Sequence, residues 1–213
     1  MTVAYLATDR GHGDLALRVE PADLAARRAA IIDAPWTWLR QVHGAGVVTV
    51  RHPGEHAGAE ADAAVTVAPG APIAVQTADC APILLVADGG VGVVHAGWRG
   101  LVEGVIEAAA DALVTAGAPP YAAVLGPCIR ARCYEFGRAD LARVAERYGP
   151  TVHARTGWGT PALDVSAGVR TACERLGLTF TDCGICTACS PDHWSYRARA
   201  DASRQALVAW LEP

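Results

Sequence analysis

Two histidines and a cysteine, His43, Cys80 and His95, are the side chains in this sequence best suited to reactive chemistry. Cys80 stands at the entrance to the apolar run ILLVA, and His95 leaves the neighbouring run VGVV into Gly-Trp-Arg-Gly. Thiolate and imidazole together suit Zn²⁺, which takes nitrogen and sulfur donors in a tetrahedron. Three protein donors leave one corner for a reactant, the mark of a catalytic site, and water bound there has its pKa pulled toward about 7. The separations of 37 and 15 residues contain no compact ligand motif. Taken singly, each histidine also fits a hydrogen-bonded core or surface role, and Cys80 fits a small buried hydrophobe.

A second group competes. Cys183, Cys186 and Cys189 form C-x₂-C-x₂-C close to His193. The pattern suits zinc or an iron–sulfur cluster, but Ser190 and Pro191 follow Cys189, where an iron–sulfur tract ends in a fourth Cys and Pro. A Cys₃His zinc site stays open beside the plainer reading of a reduced, Cys-rich loop. Arg99 sits where a strand hands over to a helix N-terminus, a good place to hold an anion, and Arg197 in HWSYRAR has the same promise. Each arginine also fits a solvated salt bridge. Asp62 and Asp79 are carboxylates flanked by alanine; such groups act as turn caps or, with raised pKa, as proton carriers. Asp79, beside Cys80, is the better placed of the two for chemistry.

These residues need a scaffold that brings distant segments together. The chain has 213 residues, 52% hydrophobic and 19% charged, which is a globular composition. Strand patterns alternate irregularly with helical ones, and several strands are joined by short turns. That pattern points to one mixed α/β (α+β) domain over 1–213 and not to a purely parallel, doubly wound sheet. Helices are expected over PADLAARRAAIIDA, over LVEGVIEAAADALVTAG up to Gly117, over ADLARVAERYG and VSAGVRTACERLGL, and finally over SRQALVAWLE. FTDCGICT reads as irregular.

The totals exclude several classes. A net charge of −4 with scattered basic residues gives no electrostatic case for nucleic acid. Every basic residue is arginine, so no lysine Schiff base or P-loop lysine is available. No apolar run reaches the ~18 residues of a membrane helix. The first residues lack a signal-peptide pattern, and seven cysteines cannot all pair, so reduced thiols in a cytoplasm are expected.

The strings RQVHGAGV, ADAAVT, TADCAPIL, GVVHAGWRG, LGPCIRARCYEFG and CTACSPDHWSYRA occur in an order that resembles one family. This is the purine nucleoside phosphorylase family often labelled multicopper polyphenol oxidase or laccase-domain proteins. The resemblance implies a layered fold of mixed sheets flanked by helices, like the catalytic domain of cytotoxic necrotising factor. It implies Zn²⁺ on His43, Cys80 and His95. It also implies phosphorolysis of adenosine, inosine and methylthioadenosine, with deamination of adenosine at the same centre. Nucleoside and phosphate are then the partners, with no nucleic acid and no membrane, and the protein is expected as a monomer or weak dimer. On this basis Cys80, Asp79 and Arg99 are the candidate catalytic residues, with Asp79 handling a proton. Arg99, Arg197 and Asp62 are the candidates for holding substrate. The chain departs from the family pattern in a shortened TDRGHGDLALR segment and in Ala-Arg-Cys-Tyr where a Cys-Cys-Tyr run is usual.

Three rivals stand beside this reading. A copper oxidase is one, although blue copper sites usually carry an axial Met and the only one here is Met1. A metal-free hydrolase with Cys80 as nucleophile and His95 or His43 as base is another. A binding protein without turnover is the third.

Overall fold

A computed structural model describes residues 1–212. One sheet has five strands in the order β1 (Val3–Ala7), β13 (Gln205–Leu211), β6 (Ile73–Thr77), β2 (Thr37–Arg40), β4 (Ala59–Glu60). The other has six: β12 (Thr179–Asp182), β9 (Pro120–Leu125), β7 (Ala81–Ala87), β8 (Gly90–Ala96), β5 (Ala63–Thr66), β3 (Val47–Val50). Both sheets mix parallel and antiparallel pairs, as the irregular alternation of elements implies. A short ribbon pairs β10 (His153–Arg155) with β11 (Pro161–Leu163).

The two sheets pack face to face through Leu39, Ile73, Val75, Leu84, Val91, Val93, Leu207 and Leu211. The other face of the six-stranded sheet buries Ile83, Leu85, Val94 and Ala96 against four helices: α2 (Trp98–Glu103), α3 (Val105–Thr115), α4 (Arg138–Tyr148) and α5 (Val165–Arg175). Helix α1 (Pro21–Ile31) closes the outside of the five-stranded sheet near Trp36, Ala74 and Val208. The central strands are thus buried on both faces, which is why they read as unbroken apolar runs.

That two-sided burial decides where the chemistry lies. Along β8, Val94 and Ala96 meet the helices while Val91 and Val93 meet the other sheet. With a side-chain period of two, His95 falls on the inter-sheet side. On neighbouring β5, Ala63 and Val65 meet the helices, so Asp62 one residue before falls on the same side as His95.

Three expectations are corrected. The final SRQALVAWLE segment is the central strand β13, hydrogen-bonded to β1 and β6. Its apolar residues fill both faces, and the six-residue apolar run 206–211 cannot reveal its period. FTDCGICT opens as β12, a parallel edge strand on β9. The long helix before Gly117 is broken at Gly104, which takes φ 86° and separates α2 from α3. A side chain at that position would strike the guanidinium of Arg147. A short α6 (Tyr196–Arg199) follows, and among the described residues no helix is long and apolar enough to cross a membrane.

Candidate functional site

His43, Cys80 and His95 arrive on three different segments and converge. Their donor atoms all lie within 4.8 Å of one another. His43 sits on the chain crossing from β2 in one sheet to β3 in the other, with φ 63°. Cys80 is the residue before β7 and His95 is the penultimate residue of β8; Ala81 pairs with Ala96 and Pro82 with His95 in the ladder. His43 Nε2 is 3.9 Å from Cys80 Sγ, and the two imidazoles meet edge to face at 4.9 Å between centroids.

Asp62 organises the group from behind. Its Oδ1 is 2.7 Å from His95 Nδ1, leaving Nε2 of that ring as the donor toward Cys80. The same carboxylate accepts backbone N–H groups of Val42, His43 and Gly44 at 3.1, 3.0 and 2.8 Å. The turn carrying His43 is therefore tied to the carboxylate that orients His95. Burial opposes charge on Asp62, but the hydrogen bonds from His95, Gly44 and Val42 outweigh it and hold the carboxyl below its usual range. Asp62 is 0% exposed, so it cannot touch a substrate; its expected binding role is corrected to one beneath the histidines.

Burial also opposes a thiolate at Cys80, yet the charge of His95 and hydrogen bonds from both histidines bring it down to about 6. His95, in turn, is lifted to about 9: desolvation works against its charge, but Cys80 and Asp62 more than offset this. Without an ion, Cys80 and His95 form a thiolate–imidazolium pair. Such a pair offers a divalent cation one ready anion and one proton to displace.

Asp79 is strained, at φ 104°, and buried. Its Oδ1 accepts the Thr187 hydroxyl at 2.6 Å and its Oδ2 accepts the Arg197 backbone N–H at 2.7 Å. Both carboxylate oxygens are thus occupied by hydrogen bonds. The expected proton carrier instead ties the strained Asp79–Cys80 corner to the segment bearing Arg197.

These donors lie at one side of a cavity of about 660 Å³. Arg99 and Arg197 both line it and both are solvent-exposed. Neither has a carboxylate partner among the described residues. Their guanidinium groups lie over aromatic rings, Arg99 over Trp98 at 4.8 Å and Arg197 over Tyr134 at 5.2 Å. Several lining residues had no signal in the sequence: Arg18, Gln76, Thr77, Tyr134, Tyr196 and Arg204. The Thr77 hydroxyl is buried without a protein partner. Ala16, Leu17 and Arg18 belong to the shortened N-terminal segment, which therefore still walls the cavity.

The late cysteines are arranged differently from their sequence spacing. Cys183 is exposed, 4.0 Å from an Arg130 nitrogen, and His193 is buried with Nδ1 2.8 Å from the Ser190 hydroxyl. The partner of Cys186 and Cys189 is Cys133, and these three donors fall within 4.8 Å of one another.

The family model described as multi-copper polyphenol oxidoreductase laccase matches residues 3–212. A protein of Streptomyces coelicolor named purine nucleoside phosphorylase is 43% identical over 196 residues, covering 89% of this chain and 81% of the relative. A Mycobacterium tuberculosis protein of the same name is 36% identical over 205 residues, covering 91% and 81%. Among solved structures, a Neisseria meningitidis protein superposes with a TM-score of 0.86 at 27% identity, covering 99% of this chain and 95% of that one. YlmD of Geobacillus stearothermophilus shares the fold at 23% identity, with a TM-score of 0.83 and coverage of 99% and 91%.

Proposed function

The chain belongs to the family described as multi-copper polyphenol oxidoreductase laccase, and from that premise we propose that it is a metal-dependent purine nucleoside phosphorylase. In this reading it also deaminates adenosine. The observation that carries the reading is the convergence of His43, Cys80 and His95 beside a cavity lined by Arg99 and Arg197, which have no carboxylate partner among the described residues and suit phosphate. The names of the Streptomyces and Mycobacterium relatives supply the substrate class.

The donor set fits zinc: one thiolate, two imidazoles, and a carboxylate oriented behind one imidazole. It fits copper oxidation less well. Met1 lies near Gly89, at the turn between β7 and β8, and among the described residues the only other cluster of metal-binding side chains is the cysteine trio. A divalent ion on the three donors would supply Lewis acidity toward a reactant oxygen.

The chain's own residues then have distinct tasks. Arg99 and Arg197 hold phosphate as a charged pair, with the rings of Trp98 and Tyr134 restricting where each guanidinium lies. Tyr196 and Tyr134, which line the cavity, offer apolar faces to the purine. Asp79 acts as a positioning residue, through Thr187 and the Arg197 backbone. No further acid is needed for proton balance. When a phosphate oxygen bonds to the anomeric carbon and the carbon–nitrogen bond breaks, monohydrogen phosphate already carries the proton that leaves on the purine.

The thiolate–imidazolium pair favours one other reading, a metal-free cysteine hydrolase. One experiment separates the two. The protein is incubated with adenosine or inosine, with and without phosphate, before and after chelation, and products are resolved by chromatography. Phosphate-dependent release of adenine or hypoxanthine, lost on chelation and restored by zinc, is expected. Hydrolysis that ignores both phosphate and chelator would overturn the proposal in favour of the dyad.

A further inference from the structure

We propose that Cys133, Cys186 and Cys189 form a second metal site, which takes a thiophilic d¹⁰ ion, Zn²⁺ or Cu⁺, and staples together two segments that frame the main cavity. Cys133 closes the short 3₁₀ turn Ala131–Cys133, while Cys186 and Cys189 lie 53 and 56 residues further on. The three sulfurs fall within 4.8 Å of one another, and Cys133 Sγ is 3.3 Å from Cys189 Sγ. Thiolates sharing one ion at about 2.3 Å sit about 3.8 Å apart, inside this range.

The backbone holds the thiols in place without any ion. Cys189 and Ser190 both donate N–H groups to the Cys186 carbonyl, at 3.2 and 2.9 Å, which turns the chain so that two thiols three residues apart share one side. Cys186 is further fixed through a parallel bridge to buried Cys128. The Arg199 guanidinium, itself paired with Asp201 at 3.0 Å, donates to the carbonyls of Thr187 and Ala188, both at 3.1 Å, and so pins the turn. Cys133 and Ala188 line an open groove, which gives an ion a way in. All-sulfur coordination selects Zn²⁺ or Cu⁺ over the oxygen-seeking cations.

The site's neighbours give it a purpose. Tyr134, next to Cys133, lies under Arg197. Thr187, between Cys186 and Cys189, holds Asp79 beside Cys80. An ion joining the three thiols would therefore fix both the phosphate-binding arginine's platform and the corner carrying Cys80. Binding releases the remaining thiol protons to solvent and needs no redox step.

The test uses the full-length Cys80→Ala protein, which lacks the primary thiolate but keeps the trio. It is reduced, stripped of metal, incubated with Zn²⁺ or with Cu⁺ under reductant, then alkylated and mapped by mass spectrometry. One equivalent of at least one ion should protect Cys133, Cys186 and Cys189 together, while exposed Cys183 still reacts. Competition between the two ions then identifies the preferred one. Cys133→Ser in the same background should lose that equivalent and leave Cys186 and Cys189 open to alkylation. The proposal is overturned if neither ion protects the trio, or if reduced protein re-forms a Cys133–Cys189 disulfide in the presence of the ion. Neither result depends on turnover, so the phosphorylase reading stands or falls separately.

Discussion

Asp62 Oδ1 and His95 Nδ1 lie 2.7 Å apart, and the two side chains are only 0% and 3% exposed. Because the same carboxylate also gathers the N–H groups of Val42, His43 and Gly44, one buried residue sets two of the three donors. Second-layer carboxylates behind a metal-binding imidazole are worth about 10–100-fold in affinity. Asp62→Asn, which keeps the shape but can present an amide N–H to the ring, should weaken zinc binding by about that factor. A competition titration with a fluorescent zinc chelator reads the change. Unaltered affinity in a folded Asp62→Asn protein would show that the ring is oriented by something else.

Metal affinity should carry a defined pH signature. In the ion-free protein Cys80 is a thiolate above about 6 and His95 stays protonated up to about 9. An ion entering between these values displaces the His95 proton, so affinity should rise about tenfold per pH unit and level off above about 9. Below about 6 the Cys80 proton must leave as well, and the slope should steepen. Proton release measured by calorimetry in buffers of different ionisation enthalpy checks the count. A flat profile between pH 6 and 9 would place the proton elsewhere.

Arg99 and Arg197 are proposed to bind phosphate, so their removal should separate the two substrates. Arg99→Ala and Arg197→Ala should each raise the KM for phosphate roughly tenfold or more, the range for hydrogen bonds to charged groups, while the KM for nucleoside changes far less. Lysine at either position should recover only part of the loss, since it keeps charge but not the planar stack on Trp98 or Tyr134. Initial rates over a grid of both substrates give the split. Equal effects on both constants would mean that the arginines shape the cavity in general.

What could be read from the sequence follows from where its information lies. Strands β7 and β8 are central, apolar and joined by a tight turn, so their pattern was plain, and the reactive residues at their ends stood out. Strand β13 was misread as a helix because both of its faces are covered, by the other sheet and by the α1 layer, which erases the alternation. From its own segment Asp62 reads as a turn cap or a substrate-holding carboxylate, because its four hydrogen-bond partners come from outside that segment. Cys183 was grouped with Cys186 and Cys189 on spacing alone, whereas the turn after Cys186 directs only two of the three thiols to one side, where Cys133 meets them. Local periodicity and turn residues are written in neighbouring positions; a partner supplied by a crossing chain is not.

Gly97 tests whether the three donors must stay at their observed spacing. Its backbone, at φ −70° and ψ 163°, suits any residue, so alanine brings no conformational strain. The new Cβ, however, would stand 2.8 Å from Cδ2 of His43 and 3.4 Å from the Cys80 sulfur. Heavy atoms cannot share the first of these distances, so the His43 ring must swing away. Gly97→Ala should therefore lose metal and phosphorolysis together. Because the clash is confined to one half-buried ring, the thermal midpoint of the metal-free protein should move by no more than about 2–4 °C, the equivalent of roughly 1 kcal/mol for a chain of this size. Metal content by atomic emission and unfolding by calorimetry give both quantities on one preparation. Full metal occupancy with normal turnover in Gly97→Ala would mean that His43 is not held in the position on which the proposed site depends.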